Sequence, residues 1–177
     1  MFSSIKSFGV SGIGGYGVSV EVYISNGLPG FDIVGLPDAA VKEARERVRA
    51  AIKNNGFRFP VSRLTVNLAP ADVKKQGAYL DLPIAVGIIK ASTQDISLNF
   101  DEYILIGELS LDGSLREVQG ILPLLISAKN SGYTKFIIPK ENQKEAGYIA
   151  GIDVYALETL SDAISLLSGK KVFEKVM

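Results

Sequence analysis

Val18, Val20, Val22 and Ile24 alternate with polar residues in VSVEVYI, the period of a strand with one buried face. Lys6–Val10 is expected to pair with it across Ser11–Gly17, and Phe31–Val34 to follow the turn Asn26–Gly30 as a short strand. The period then changes. Val41, Ala44, Val48, Ala51 and Ile52 recur at helical spacing, with Asp38 after Pro37 as the start signal and Gly56 as the left-handed stop. A strand over Arg63–Leu68 follows, then a proline-and-charge loop, Pro70–Gly77, and a buried helix near Leu82–Ala91 with Pro83 in its first turn.

The second half repeats the mixture. Tyr103–Leu109 and Ser114–Val118 flank the hairpin signal Asp112–Gly113. Helices are expected over about Leu122–Ser131, near Glu141–Gly147 and over about Leu157–Leu167, with strands at Lys135–Ile138 and Asp153–Ala156. Strands that pair locally between helices predict an α+β fold, a mixed sheet with helices largely on one face, rather than a doubly wound parallel sheet. No stretch reads as a linker, and 177 residues suit one domain spanning 1–177.

Composition narrows the chemistry. The chain has no His, which removes a Ser-His-Asp triad, and no Cys, which removes a thiol nucleophile, disulfides and thiolate metal sites. Catalysis would have to rely on Ser, Thr, Lys, Tyr or carboxylates. Nineteen basic residues balance nineteen acidic ones, so only a local patch would favour nucleic acid. The apolar runs fall far short of the roughly 18 residues of a membrane span, and no targeting segment is visible, which makes a cytoplasmic protein without membrane contact the expectation.

Gly12-Ile13-Gly14-Gly15-Tyr16-Gly17 matches G-x-G-x-x-G literally, but an alternating strand follows where a dinucleotide site needs a helix N-terminus. A glycine-rich hairpin tip is the expectation. No G-x-x-x-x-G-K-[ST] string occurs, so this chain lacks a P-loop. Lys42, Arg45, Arg49 and Lys53 form a basic stripe on the first helix, and Lys74 and Lys75 a short basic loop. Both are candidate contacts to DNA or a neighbouring subunit; a solvated surface is the alternative, with Glu46 in the stripe and a Glu43–Arg47 pair beside it. Asp81, between Leu80 and Leu82, is expected to cap its helix or to pair with a cation across an interface. A Ser–Lys dyad is the one metal-free hydrolytic device this composition allows, yet no Ser stands in a nucleophile's context.

The strings GLPGFDIVGLPDAAVKEARERVRAAIKNNGFRFP (27–60), TVNLAPADVKKQGAYLDLPIAVGI (65–88), IGELSLDGSLREVQGILPLL (106–125) and FIIPKENQKEA (136–146) resemble the N-terminal domain of the ComM/YifB family of magnesium-chelatase-like AAA+ ATPases. That domain is similar in turn to the proteolytic domain of Lon, also found in the recombination ATPase RadA. The resemblance implies a two-layer fold with a left-handed βαβ crossover, an exception to the usual hand. Lon's serine follows a Lys-Asp-Gly-Pro stretch whose counterpart falls at Tyr79, or at Ala78 after a one-residue slip, and no Ser lies between Lys74 and Lys90. Lon's lysine follows Gly-Gly-Leu, whose counterpart Gln119-Gly120-Ile121 leads to Leu122. Both dyad positions therefore hold residues unable to act.

The resemblance implies a domain with no catalytic residue, cofactor or metal of its own, within a longer, ring-forming, hexameric motor that uses ATP and Mg. By analogy with the branch-migration ATPases, it would help form the ring and contact DNA during recombination. The chelatase subunits proper are expected to share the motor module rather than this domain. Two alternatives stand beside this reading: a divergent Ser–Lys peptidase, and a pure protein-interaction domain indifferent to DNA.

Overall fold

The structure is a computed structural model, and it describes residues 1–11, 14–92 and 102–177. Two long strands open the chain, β1 (Phe2–Ser11) and β2 (Gly14–Ser25), antiparallel from Phe2 opposite Tyr23 to Ser11 opposite Gly14. The glycine cluster therefore sits at a hairpin tip, as the alternation after it predicts; Gly12 and Ile13 themselves lie outside the described residues. Next come β3 (Gly30–Val34), α1 (Ala39–Asn54), β4 (Arg63–Ala69) and α2 (Asp81–Ser92). β3 and β4 are parallel neighbours joined through α1, a βαβ unit.

The expected strand over Tyr103–Leu109 is two strands. β5 (Tyr103–Leu105) joins the large sheet, whereas β6 (Glu108–Leu109) pairs with β7 (Leu115–Arg116) in a separate two-stranded ribbon across Asp112–Gly113. The cause lies at Gly107, whose N–H donates to the Tyr79 carbonyl and whose carbonyl accepts the Leu82 N–H, both at 2.9 Å. Those bonds pull the chain off the sheet and onto the start of α2. The remaining elements are α3 (Ile121–Asn130), β8 (Lys135–Pro139), a 3-10 turn (Lys140–Asn142), α4 (Gln143–Ala146), β9 (Asp153–Leu157) and α5 (Leu160–Leu167). The last helix starts three residues later than expected because Leu157 still belongs to β9 and Thr159 supplies the cap, its hydroxyl accepting the Asp162 N–H.

The large sheet runs β3-β4-β2-β1-β5-β8-β9. It is mixed: β1–β2 and β2–β4 are antiparallel, and the other neighbours are parallel. One face carries α1, α2 and α5 over a core that includes Ile5, Val20, Val22, Leu64 and Val66. The opposite face is covered from the β2–β1 hairpin, against which α3 lies, to β5, β8 and β9, where Phe8, Ile104, Phe136 and Ile138 pack with Ile121, Leu124 and Leu125 of α3 and Ala146 of α4. Alternation along the strands divides the two cores: Ile137 faces the first while its neighbours Phe136 and Ile138 face the second.

Burying Val41, Val48 and Ile52 on one side of α1 stabilises its attachment by about 1.5–3 kcal/mol for each of these side chains. α2 is buried along almost its whole length, which suits a central element under two other helices. Among the described residues, no helix is long and apolar enough to cross a membrane.

Candidate functional site

Asp38 does two jobs at the start of α1. One carboxylate oxygen accepts the Val41 N–H at 2.8 Å, capping the helix; the other accepts the Gly77 N–H at 3.2 Å. The Asp38 N–H donates to the Lys75 carbonyl, and the Lys75 N–H donates to the Leu36 carbonyl, each at 2.9 Å. The segment around Lys75–Tyr79 is thereby stitched to the mouth of α1, while Gly107 fixes its far end at the Tyr79 carbonyl.

A second wall faces it. Asn142, fully buried, accepts the Val118 N–H at 2.9 Å and donates to the Val118 carbonyl at 3.0 Å, a two-point clamp on the strand-like stretch before α3. Gly120 then turns the chain into α3 with φ 71° and ψ 29°, a left-handed conformation that glycine adopts without cost.

Between the two walls lies a cleft of about 630 Å³. Its apolar lining comes from Ala78, Tyr79, Val118, Pro123 and Leu124, and its carboxylates from Asp38, Glu108 and Glu117. Among the described residues that line it there is no Ser, Thr or Lys. Tyr79, which the resemblance to Lon would set in the serine's place, is half-buried in the cleft. Leu122, which the resemblance to Lon would set in the lysine's place, is half-buried and outside the lining, although Gly120 and Pro123 on either side belong to it. The structure thus brings Tyr79 and Leu122 to one cleft but presents only Tyr79 to it.

Behind the cleft, Asp81 does not cap α2. Its carboxylate takes two hydrogen bonds from Arg47 of α1, at 2.7 and 3.1 Å, and a third from the Leu109 N–H at 3.0 Å. The cation it meets is in its own chain. Burial pushes the Asp81 carboxyl up to about 6, with Arg47 and the Leu109 N–H holding it back.

The basic residues do not form one surface. Lys42, Arg45 and Lys53 are exposed, as is Lys74 in the loop, whose carbonyl accepts the Tyr16 hydroxyl at 3.1 Å. Arg45 is tied down, its guanidinium donating to the Lys42 and Phe31 carbonyls. Arg49 is half-buried with its guanidinium 5.2 Å from the Phe59 ring centre, and its Nε is buried without a hydrogen-bond partner among the described residues. Lys75 corrects the expectation of a basic surface loop. It is fully buried, its ammonium donates to the Pro70 carbonyl, and desolvation lowers its pKa. Its backbone bridge to Pro37 turns the residue inward, leaving Lys74 alone at the surface.

Sequence patterns did not mark Glu108, Glu117 or Asn142. The first two are ordinary polar positions until the ribbon and α3 bring them to the cleft; the role of Asn142 carries no local signal, since the Val118 groups it clamps are 24 residues away.

A family model described as subunit ChlI of Mg-chelatase matches residues 20–142. The match falls within this domain. The competence protein ComM of Haemophilus influenzae is 44% identical over 154 residues, 87% of this chain and 30% of its own length. The YifB protein of Escherichia coli is 46% identical over 158 residues, 89% of this chain and 31% of its own. Lon protease 2 of Bacillus subtilis is 28% identical over 125 residues, 70% of this chain and 22% of its own, in keeping with a Lon-like domain. The chain thus spans under a third of the length of these curated relatives.

Proposed function

Since the chain belongs to the Mg-chelatase subunit ChlI family and has ComM and YifB relatives, we propose that it is a non-catalytic N-terminal domain of a ComM-type AAA+ ATPase. In this reading it supports assembly of a ring and contributes backbone contacts to DNA during recombination. The observation that carries it is the cleft at Tyr79, whose walls are built and braced but whose described lining holds no Ser, Thr or Lys for a Lon-type dyad. ATP and Mg would be held elsewhere in a longer polypeptide, because the 177 residues contain no P-loop string. Lys42, Arg45, Lys53 and Lys74 are the DNA contacts of this reading; their exposure supports it.

Two measurements test the proposal. The purified chain should hydrolyse neither casein nor short fluorogenic peptides; hydrolysis lost on changing a single Ser would overturn the non-catalytic part. In a polypeptide of the relatives' length, Lys42→Ala/Arg45→Ala/Lys53→Ala should weaken DNA binding and flatten its salt dependence by about 2–3 units of slope. Unchanged affinity would remove the DNA part and leave a ring-assembly domain. Glu43 and Glu46, exposed within the same helix face, favour that second reading. Light scattering with and without DNA separates the two.

A further inference from the structure

The cleft beside Tyr79 has a chemistry that neither a motor support nor a DNA contact uses. Much of its lining is apolar, and the charged residues among the described lining are all carboxylates: Asp38, Glu108 and Glu117. Their compensation inside the chain is uneven. Asp38 already accepts two backbone N–H groups. Glu108 feels Arg47 through space, but both hydrogen bonds that Arg47 makes to a side chain go to Asp81. Glu117 is exposed and, among the described residues, enters no ion pair.

An occupant must therefore bring positive charge and cover apolar surface. Phosphates are repelled by such a rim, so nucleic acid is the wrong class. The volume of about 630 Å³ lies within the roughly 300–1,000 Å³ typical of ligand clefts, more than one side chain fills. We propose that this cleft docks an extended polypeptide segment, seating an Arg or Lys side chain against Glu108 and Glu117 and its aliphatic neighbours on Tyr79, Pro123 and Leu124. Long cationic side chains suit such a place because their stems cover apolar surface while the charged head meets a carboxylate. The walls need little ordering on binding, since the Asn142 clamp and the Asp38–Gly77 bond already hold them. This inference does not depend on the DNA contacts proposed above, which lie on residues outside the cleft.

The test is fluorescence anisotropy of the 177-residue chain with a fluorescein-labelled Ala-Leu-Arg-Leu-Ala peptide and with counterparts carrying Glu or citrulline in place of Arg. The Arg peptide should bind with a dissociation constant below ~1 mM, and more weakly as salt rises. Glu108→Gln/Glu117→Gln should weaken it about tenfold, and the Glu and citrulline peptides should bind at least that much more weakly. Circular dichroism spectra of the variant should match the parent's, because neither side chain is buried in the core. Lys42→Ala/Arg45→Ala/Lys53→Ala should leave peptide binding unchanged, which separates this outcome from any loss of DNA affinity. Absence of binding, indifference to the Glu→Gln changes, or equal binding of the Glu peptide would overturn the proposal. Displacement by equimolar spermidine would overturn it too, by assigning the cleft to a free polyamine.

Discussion

Arg47 on α1 and Asp81 at the head of α2 meet through two hydrogen bonds, 2.7 Å from Nε and 3.1 Å from Nη2, in a place where Asp81 is fully buried. The Arg47 guanidinium also donates to the Ala40 carbonyl at 2.9 Å, and the Leu109 N–H completes the carboxylate's shell at 3.0 Å. Three elements, α1, α2 and the β6–β7 ribbon, are thus joined at one point. Arg47→Met would leave a buried carboxylate without its cation and should cost about 3 kcal/mol, the lower end for breaking a buried pair, because the Arg47 side chain is 20% exposed. Urea unfolding measures this. Adding Asp81→Leu to Arg47→Met should recover a large part of the loss, since the buried charge is then gone.

The same pair gives a pH dependence whose direction is fixed by burial. The Asp81 carboxyl stands at about 6 in the folded chain against 3.8 for the free group, so the folded state holds the proton more tightly than the unfolded one. Its contribution to stability is therefore complete below about 3.8 and is lost as pH rises through about 6. Relative to Asp81→Asn, which cannot titrate, the parent chain should gain on the order of 1 kcal/mol between pH 7 and pH 4.5. Glu108 from β6 faces the same group and Glu43 pairs with Arg47, so the comparison is best made in a Glu43→Gln/Glu108→Gln background. A difference that falls with acid would refute this assignment.

Asn142 should be more costly to lose than its small size suggests. Asn142→Ala removes the partner of both the Val118 N–H and the Val118 carbonyl and leaves those backbone groups unsatisfied in a buried place. About 2–4 kcal/mol is expected. Amide hydrogen exchange at Val118 should accelerate more than at Val20 or Val66 in the distant part of the sheet; uniform acceleration would mean the clamp is not local.

Gly35 is the backbone position least open to substitution. Its φ is +105°, and a Cβ placed there would stand 2.2 Å from the Leu68 carbonyl oxygen, a backbone atom that no rotamer change moves. Gly35→Ala should therefore destabilise by about 2 kcal/mol or more. Gly56, also left-handed at +82° but with nothing within 4 Å, should tolerate Ala at about 1 kcal/mol. Thermal melts of the two variants, side by side, test the contrast.

Much of the scaffold was legible because local signals and tertiary demands agreed. Asp38 reads as an N-cap and is one; Val41, Ala44, Val48, Ala51 and Ile52 read as one helical face and are all buried. The hairpin reading of the glycine cluster held for the same reason, since period-two alternation has one geometric meaning. Chemistry-bearing residues were harder. Asp81 at a helix head looks like a cap, and only the approach of α1 shows that Arg47 claims its carboxylate. Lys75 next to Lys74 looks like a charged surface loop, yet the bridge to Pro37 turns one lysine into the interior and leaves the other outside.

The residue order alone determined where most of the helices and strands form and that no His or Cys chemistry is open to this chain. These depend on side-chain type and on spacings shorter than a dozen residues. Tertiary structure alone decided that Tyr79 lines a cleft with three carboxylates while Leu122 does not, that the basic stripe is broken at Arg49, and that the chain leaves the large sheet after β5, at Gly107. Each of those outcomes is set by contacts between residues far apart in the chain, such as Asp38 with Gly77 and Val118 with Asn142, whose pairing no local period encodes.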